Sequence, residues 1–180
     1  MTSSLATALA TIADLERTPG RCELIDGVII HMCPAGADHG SIGVEIAAAL
    51  IAHVKAKKLG RVFGADTGFI LGRDPDTVRA PDCAFVTAAR LPAGRHPGFL
   101  ELAPDLVVEV VSPSDRYSDV KLKARMWLDH GSRMVWIVDP EDRQVEIITA
   151  TSAAELTVRD RLEGGEVLPG FALPLSELFA

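Results

Sequence analysis

The chain has 180 residues, 48% hydrophobic and 24% charged, with a formal net charge of −7. That length and apolar content suit one domain spanning 1–180 with a full core and exclude intrinsic disorder. The acidic balance excludes a protein that coats nucleic acid by bulk charge, though not a local basic groove or a site where a metal supplies the positive charge. Three cysteines, Cys22, Cys33 and Cys83, form an odd set without CxxC spacing, which argues for a reducing, cytoplasmic setting over a disulfide framework; no apolar run approaches a membrane span or follows a basic leader.

Leu5, Leu9, Ile12 and Leu15 recur at helical spacing and predict an amphipathic helix from Ser3 or Ser4 to Glu16, stopped by Pro19-Gly20. CELIDGVIIHM sets two apolar segments around Asp26-Gly27, the strongest short hairpin signal, and puts Glu23 on the first arm. After the loop CPAGADHG, with Asp38 as candidate cap, Ile42, Ile46, Leu50 and Val54 mark a helix from His39 to about Lys58 that Gly60 closes. His39 falls on its core side. RVFGADTGFIL reads as one strand bent at Gly64 or Gly68, GRDPDTVRA as a turn, and PDCAFV as a short strand beginning at Asp82. The Gly- and Pro-rich ARLPAGRHPGFLEL is a surface loop bearing Arg90, Arg95 and His96.

The segment around which the rest is organised is APDLVVEVVSPSDRYSDVKLK, residues 103–123. Leu106 to Val111 would be an ordinary buried strand but for one carboxylate, Glu109. Alternation groups it with Asp105, Val107 and Val111, opposite the wholly apolar Leu106, Val108 and Val110. A buried carboxylate costs several kcal/mol unless a cation, a metal or hydrogen-bond donors compensate, so Glu109 needs a partner. Ser114 is the candidate cap of a helix over 115–130 with Val120, Ala124, Trp127 and Leu128 inward. Then follow a buried strand MVWIVDP, a hairpin arm RQVEIIT, an antiparallel meander through Gly164-Gly165 and a short docking helix in LPLSELF. The order of elements predicts an α/β (α+β) fold, a mixed sheet with helices on its faces.

Two strands thus present one carboxylate each, Asp82 and Glu109, and the next helix presents Asp119 and Lys123 one turn apart. Phosphodiester hydrolysis needs an attacking water, neutralisation of charge on the phosphate and help for the leaving oxygen. Mg²⁺ held by one or two carboxylates supplies most of that, and a nearby lysine, its pKa lowered by the cation and by burial, can position or deprotonate the water.

These features resemble the PD-(D/E)XK superfamily, with its restriction-endonuclease-like αβββαβ core. More closely, CELIDGVII, the helix opening at His39, APDCAFV, APDLVVEVVSPSD, the Asp119-to-Lys123 spacing, VWIVDP and LPGFALPLSELF are together similar to the Uma2 (DUF820) family. The resemblance implies that Asp82 and Glu109 are ligands for Mg²⁺ (or Mn²⁺) and that Lys123 is the catalytic lysine. In the broader superfamily that lysine is expected two residues after the glutamate, where this chain has Val111; the Uma2 pattern moves it to the helix. Glu23 matches a further acidic position, with Cys22 in place of the usual aromatic, and His39 a family histidine. Asp119 and Lys121 are secondary candidates. The implied partners are a nucleic-acid substrate, DNA ahead of RNA, and a second copy of the chain in a homodimer.

Each residue also has a plainer reading. Glu109 would serve equally as half of a buried salt bridge to Lys123 or Arg125, Asp82 as a turn residue after Pro81, and Glu23 as an exposed strand residue. His39 fits a helix-start histidine, and the tryptophans fit the core. The spacing of His31, Cys33 and His39 matches no standard zinc site. Two functional alternatives therefore stand beside the endonuclease: a binding module without turnover, and a metal hydrolase of small phosphoesters. Arg90, Arg95, Arg116 and Arg125 are the candidates for a local basic footprint.

Overall fold

The computed structural model describes residues 9–180. Its elements run α1 (Ile12–Arg17), β1 (Cys22–Ile25), β2 (Val28–His31), α2 (Ala37–Lys57), β3 (Gly60–Gly64), β4 (Phe69–Gly72), β5 (Thr77–Arg79), β6 (Cys83–Thr87), β7 (Leu106–Val110), α3 (Tyr117–Asp129), β8 (Met134–Asp139), β9 (Gln144–Ile148), β10 (Ala153–Thr157), β11 (Arg161–Glu163), β12 (Ala172–Pro174) and α4 (Leu175–Leu178). Six strands form the main sheet in the order β10-β9-β8-β7-β6-β3. Within it β7 and β8 are parallel, and α3 supplies the crossover that a parallel pair requires. A second sheet, β2-β1-β5-β4, and the pair β11-β12 complete the strands.

Alternation along the central strands sorts the core into two layers. Leu106, Val108 and Val110 of β7 and Trp136 and Val138 of β8 face Ile42, Ile46, Leu50 and Val54 of α2, with Leu162, Leu168 and Leu175 closing that side. Val107, Val135 and Ile137 face Val120, Ala124, Trp127 and Leu128 of α3. Glu109 therefore belongs to the α3 layer by parity, and it is only 4% exposed. Each fully buried Leu, Ile or Val in these layers contributes about 1.5–3 kcal/mol, which is the reserve that tolerates a carboxylate inside.

The Asp26-Gly27 hairpin forms as predicted, with Ile25 paired to Val28 and both turn residues at positive φ, 49° and 76°, the signature of a two-residue type I′ turn. Several local expectations are corrected. The first helix begins at Ile12, because Thr11 and Asp14 form a capping box there; the part expected over 3–8 lies outside the described residues. Gly36, not Asp38, caps α2, and Lys58 in left-handed conformation ends it before Gly60, which opens β3. RVFGADTGFIL is two strands in different sheets, and the expected turn 72–80 contains β5, paired with β1 and β4. Arg116, not Ser114, is the residue before α3; Asp115 instead accepts the Ser112 N–H at 2.9 Å and closes the SPSD turn. None of the helices among the described residues is long and apolar enough to cross a membrane.

Candidate active site

The small sheet, the main sheet, α2 and α3 converge on one cavity of about 530 Å³, lined by Glu23, His39, Asp82, Glu109, Asp119 and Lys123, with Arg21 and Arg79 at its wall. Asp82 stands immediately before β6, in a segment that runs straight from β5 of the small sheet into the main sheet. Its N–H donates to Val108 O at 3.2 Å, although Cys83 is already the partner of Val108 in the ladder. Two residues thus face one, and the irregularity frees the Asp82 side chain to cap the neighbouring strand: Oδ2 accepts the Val110 N–H at 2.8 Å. The Asp82 carboxylate rests on the peptide bond that follows Glu109.

Lys123 comes from the second turn of α3, on the strip that also buries Val120, Ala124 and Trp127. Its Nζ donates to Glu109 Oε2 at 2.8 Å and lies 3.4 Å from Ala80 O and 3.6 Å from Glu23 Oε1. Glu23, on β1, is 4% exposed and accepts the Ala80 N–H at 2.9 Å; Arg79 Nε stands 3.0 Å from its other oxygen, an ion-pair contact without hydrogen-bond alignment. The plain reading of Glu23 as an exposed strand residue is therefore corrected. His39, in the first turn of α2, sets Nε2 3.2 Å from Asp82 Oδ2, and Arg21 approaches Oδ1 at 3.5 Å while pairing with Asp66 at 2.6 Å.

The electrostatics separate the two carboxylates. Burial lifts Glu109 to about 6, with the Asp82 charge adding to it, against the pull of the Lys123 ammonium. Burial works the same way on Asp82, but the hydrogen bonds from His39 and the Val110 N–H outweigh it and hold Asp82 below its ordinary value. The contact with Asp82 in turn raises His39. For Lys123, desolvation is outweighed by the charges of Glu109 and Glu23, so its pKa rises. Two acids surround the amine and hold it as an ammonium; the lowered value expected from the sequence belongs to a site with its cation bound.

Asp119 lines the cavity but makes no ion pair with Lys123; Ser118 Oγ donates weakly to it at 3.4 Å. Lys121 lies on another face of α3, bound to Glu146 at 2.9 Å, and takes no part in the cavity. Arg90 is not a free surface cation, because it holds buried Asp105 at 3.0 Å and donates to Ala103 O at 2.8 Å. Arg116 does line the cavity. Arg21, Arg79 and the indole of Trp127, which donates to Glu109 Oε1 at 2.7 Å, escaped the sequence reading. For Trp127 a signal existed, since it sits four residues after Lys123 on the same helical strip; for the two arginines none did, because their contacts depend on how the small sheet docks.

No curated protein matches the chain. A crystal structure of a putative nuclease belonging to DUF820 from Anabaena variabilis ATCC 29413 is similar in fold, with a TM-score of 0.82 and 22% identity over 94% of this chain and 97% of that one. The model of the Uma2 family, described as "Putative restriction endonuclease", matches residues 9–176. A match over nearly the whole chain, carrying every segment of the cavity wall, makes this protein a member of the Uma2 family.

Proposed function

We propose that the protein is an endonuclease that hydrolyses nucleic-acid phosphodiester bonds with a divalent cation, Mg²⁺ or Mn²⁺. The observation that carries the proposal is the meeting of Asp82, Glu109 and the Lys123 ammonium in one cavity. The donor set fits such an ion. Two carboxylates are hard oxygen donors; both Glu109 oxygens and Asp82 Oδ1 keep a lone pair beyond their present contacts, whereas Asp82 Oδ2 is shared by the Val110 N–H and His39. Mg²⁺ commonly takes one or two carboxylates and fills its shell with water and substrate phosphate. Among the described residues no cluster of three His, Cys, Asp or Glu side chains is arranged as a metal site; the proposed ligands are the pair Asp82 and Glu109, with Glu23 assisting from outside.

When bound, the cation supplies a nucleophilic water and neutralises charge on the phosphate. The chain's own residues do the rest. Lys123 is a donor in this arrangement; its remaining proton can align the attacking water or a phosphate oxygen. Glu23 keeps that amine charged and directed into the cavity. His39, its pKa raised by Asp82, stands ready to hold a proton beside the same carboxylate. DNA is the preferred substrate ahead of RNA, and a homodimer would let two such cavities act on a duplex.

A second reading, a binding module without turnover, draws on one observation: both oxygens of Glu109 are already satisfied, by Lys123 and Trp127. One experiment separates the two. Supercoiled DNA, single-stranded DNA, RNA and p-nitrophenyl phosphates are incubated with the protein in EDTA, Mg²⁺ and Mn²⁺. Cation-dependent cutting of a polynucleotide that Asp82→Asn abolishes supports the nuclease; binding without cutting under every condition leaves the module.

A further inference from the structure

We infer that Trp127 is a positioning residue, whose indole N–H fixes the Glu109 carboxylate in the orientation the proposed cation site uses. The inference rests on the metal reading given above. Lys123 and Trp127 are one helical turn apart on α3, and they divide the carboxylate between them: Nζ takes Oε2 at 2.8 Å and Nε1 takes Oε1 at 2.7 Å. The two donors differ in stiffness. The lysine reaches through four rotatable bonds, whereas the indole is a rigid ring, fully buried, edge-on to Phe69 at 6.3 Å and 84°; Phe69 is itself edge-on to Phe63 at 5.7 Å and 85°. Trp127 cannot turn without opening the α3 layer.

An indole nitrogen donates only, so in this apolar layer the Glu109 oxygen is what satisfies it. Taking the N–H away leaves one oxygen of a buried carboxylate with no donor and the group held only by the flexible Lys123 side chain. Ligand orientation of this kind is what outer partners of metal ligands provide, and losing one typically weakens metal affinity about 10–100-fold. The other tryptophan supplies an internal control. Trp136 is equally buried, lies in the α2 layer, stacks on Phe171 and gives its N–H to Met134 Sδ at 3.2 Å.

The test measures Mn²⁺ affinity by calorimetry, without substrate, for the wild type, Trp127→Phe and Trp136→Phe. The expected result is affinity about 10–100-fold weaker in Trp127→Phe and unchanged in Trp136→Phe, whatever either change does to melting temperature. Equal affinity in Trp127→Phe and the wild type overturns the positioning role and leaves the metal reading standing. No Mn²⁺ binding by the wild type overturns both. Should Trp127→Phe fail to fold, the indole N–H resonance that persists in Trp136→Phe is that of Trp127. It must then move on Mg²⁺ addition with the midpoint of binding, and a resonance that stays still through saturation overturns the role.

Discussion

Glu109→Gln tests the electrostatics of the site without any assay of activity. In the fold Glu109 is pushed up to about 6, against an ordinary value of 4.5. At about 1.36 kcal/mol per pKa unit, its ionisation weakens the fold by about 2 kcal/mol. The sign follows from proton counting. Below pH 4.5 the carboxyl is protonated in both folded and unfolded chains, and Glu109 exacts nothing. As pH rises towards 6 the unfolded chain releases its proton first, so the fold loses stability, and above about pH 7 the loss is complete and constant. Glutamine imitates the permanently protonated acid. Any fixed effect of the amide, such as a poorer contact with Lys123, is the same at every pH and drops out when one pH is compared with another. Urea unfolding of both proteins between pH 4 and pH 7.5 should therefore show the glutamine variant gaining about 2 kcal/mol on the wild type across that interval. A difference that stays flat would show that the Lys123 ion pair balances burial, and a wild type that gains as pH rises that it outweighs burial; either would refute the reasoning. At pH 7.5, saturating Mn²⁺ should restore the wild type, by about 2.7 kcal/mol at 100 times Kd, and leave Glu109→Gln unmoved.

Other outcomes follow from single contacts. Lys123→Met should lower cation-dependent cleavage by about 10²–10³-fold, as loss of a charge-stabilising donor does, whereas Lys121→Met, which touches only Glu146 on the other face, should leave cleavage at the wild-type rate. Arg90→Ala strips the closest cation from buried Asp105, leaving Arg133 at 3.9 Å, and should cost about 2 kcal/mol by denaturant unfolding with no change in the salt dependence of nucleic-acid binding. Gly60→Ala would place a Cβ 2.0 Å from Val86 O, so calorimetry should find a melting temperature lower by several degrees or more.

The fold was legible where one physical signal dominated. Period-3.6 apolar spacing located α2 and α3, short apolar runs located β6 to β9, and Asp-Gly located the β1-β2 hairpin. Glu109 drew attention because a carboxylate inside an apolar strand demands compensation, and a cation and a hydrogen-bond donor are both present, in Lys123 and the Trp127 indole. What misled was weaker chemistry. Ser114 and Asp38 are good capping residues that the backbone does not use as caps, and a glycine-punctuated run after α2 hid a change of sheet at 65–68. Arg21 and Arg79 had no signature, since nothing local records that β1 and β5 will sit over the end of β6. The second acid beside Lys123 had no local signature for the same reason: Glu23 is 100 residues away in sequence.

The three residues Ala80, Pro81 and Asp82 carry a consequence for how relatives of this protein can diverge. Ala80 has its N–H committed to Glu23 and its carbonyl to Lys123, Pro81 has no N–H to satisfy, and Asp82 is pinned by both backbone and side chain. A hinge there would have to break several of these bonds at once, so the small sheet and the main sheet turn as one body. Insertions and deletions should accordingly accumulate in the exposed stretch 88–99 and be absent from the splice between the sheets, whose length is fixed to the residue.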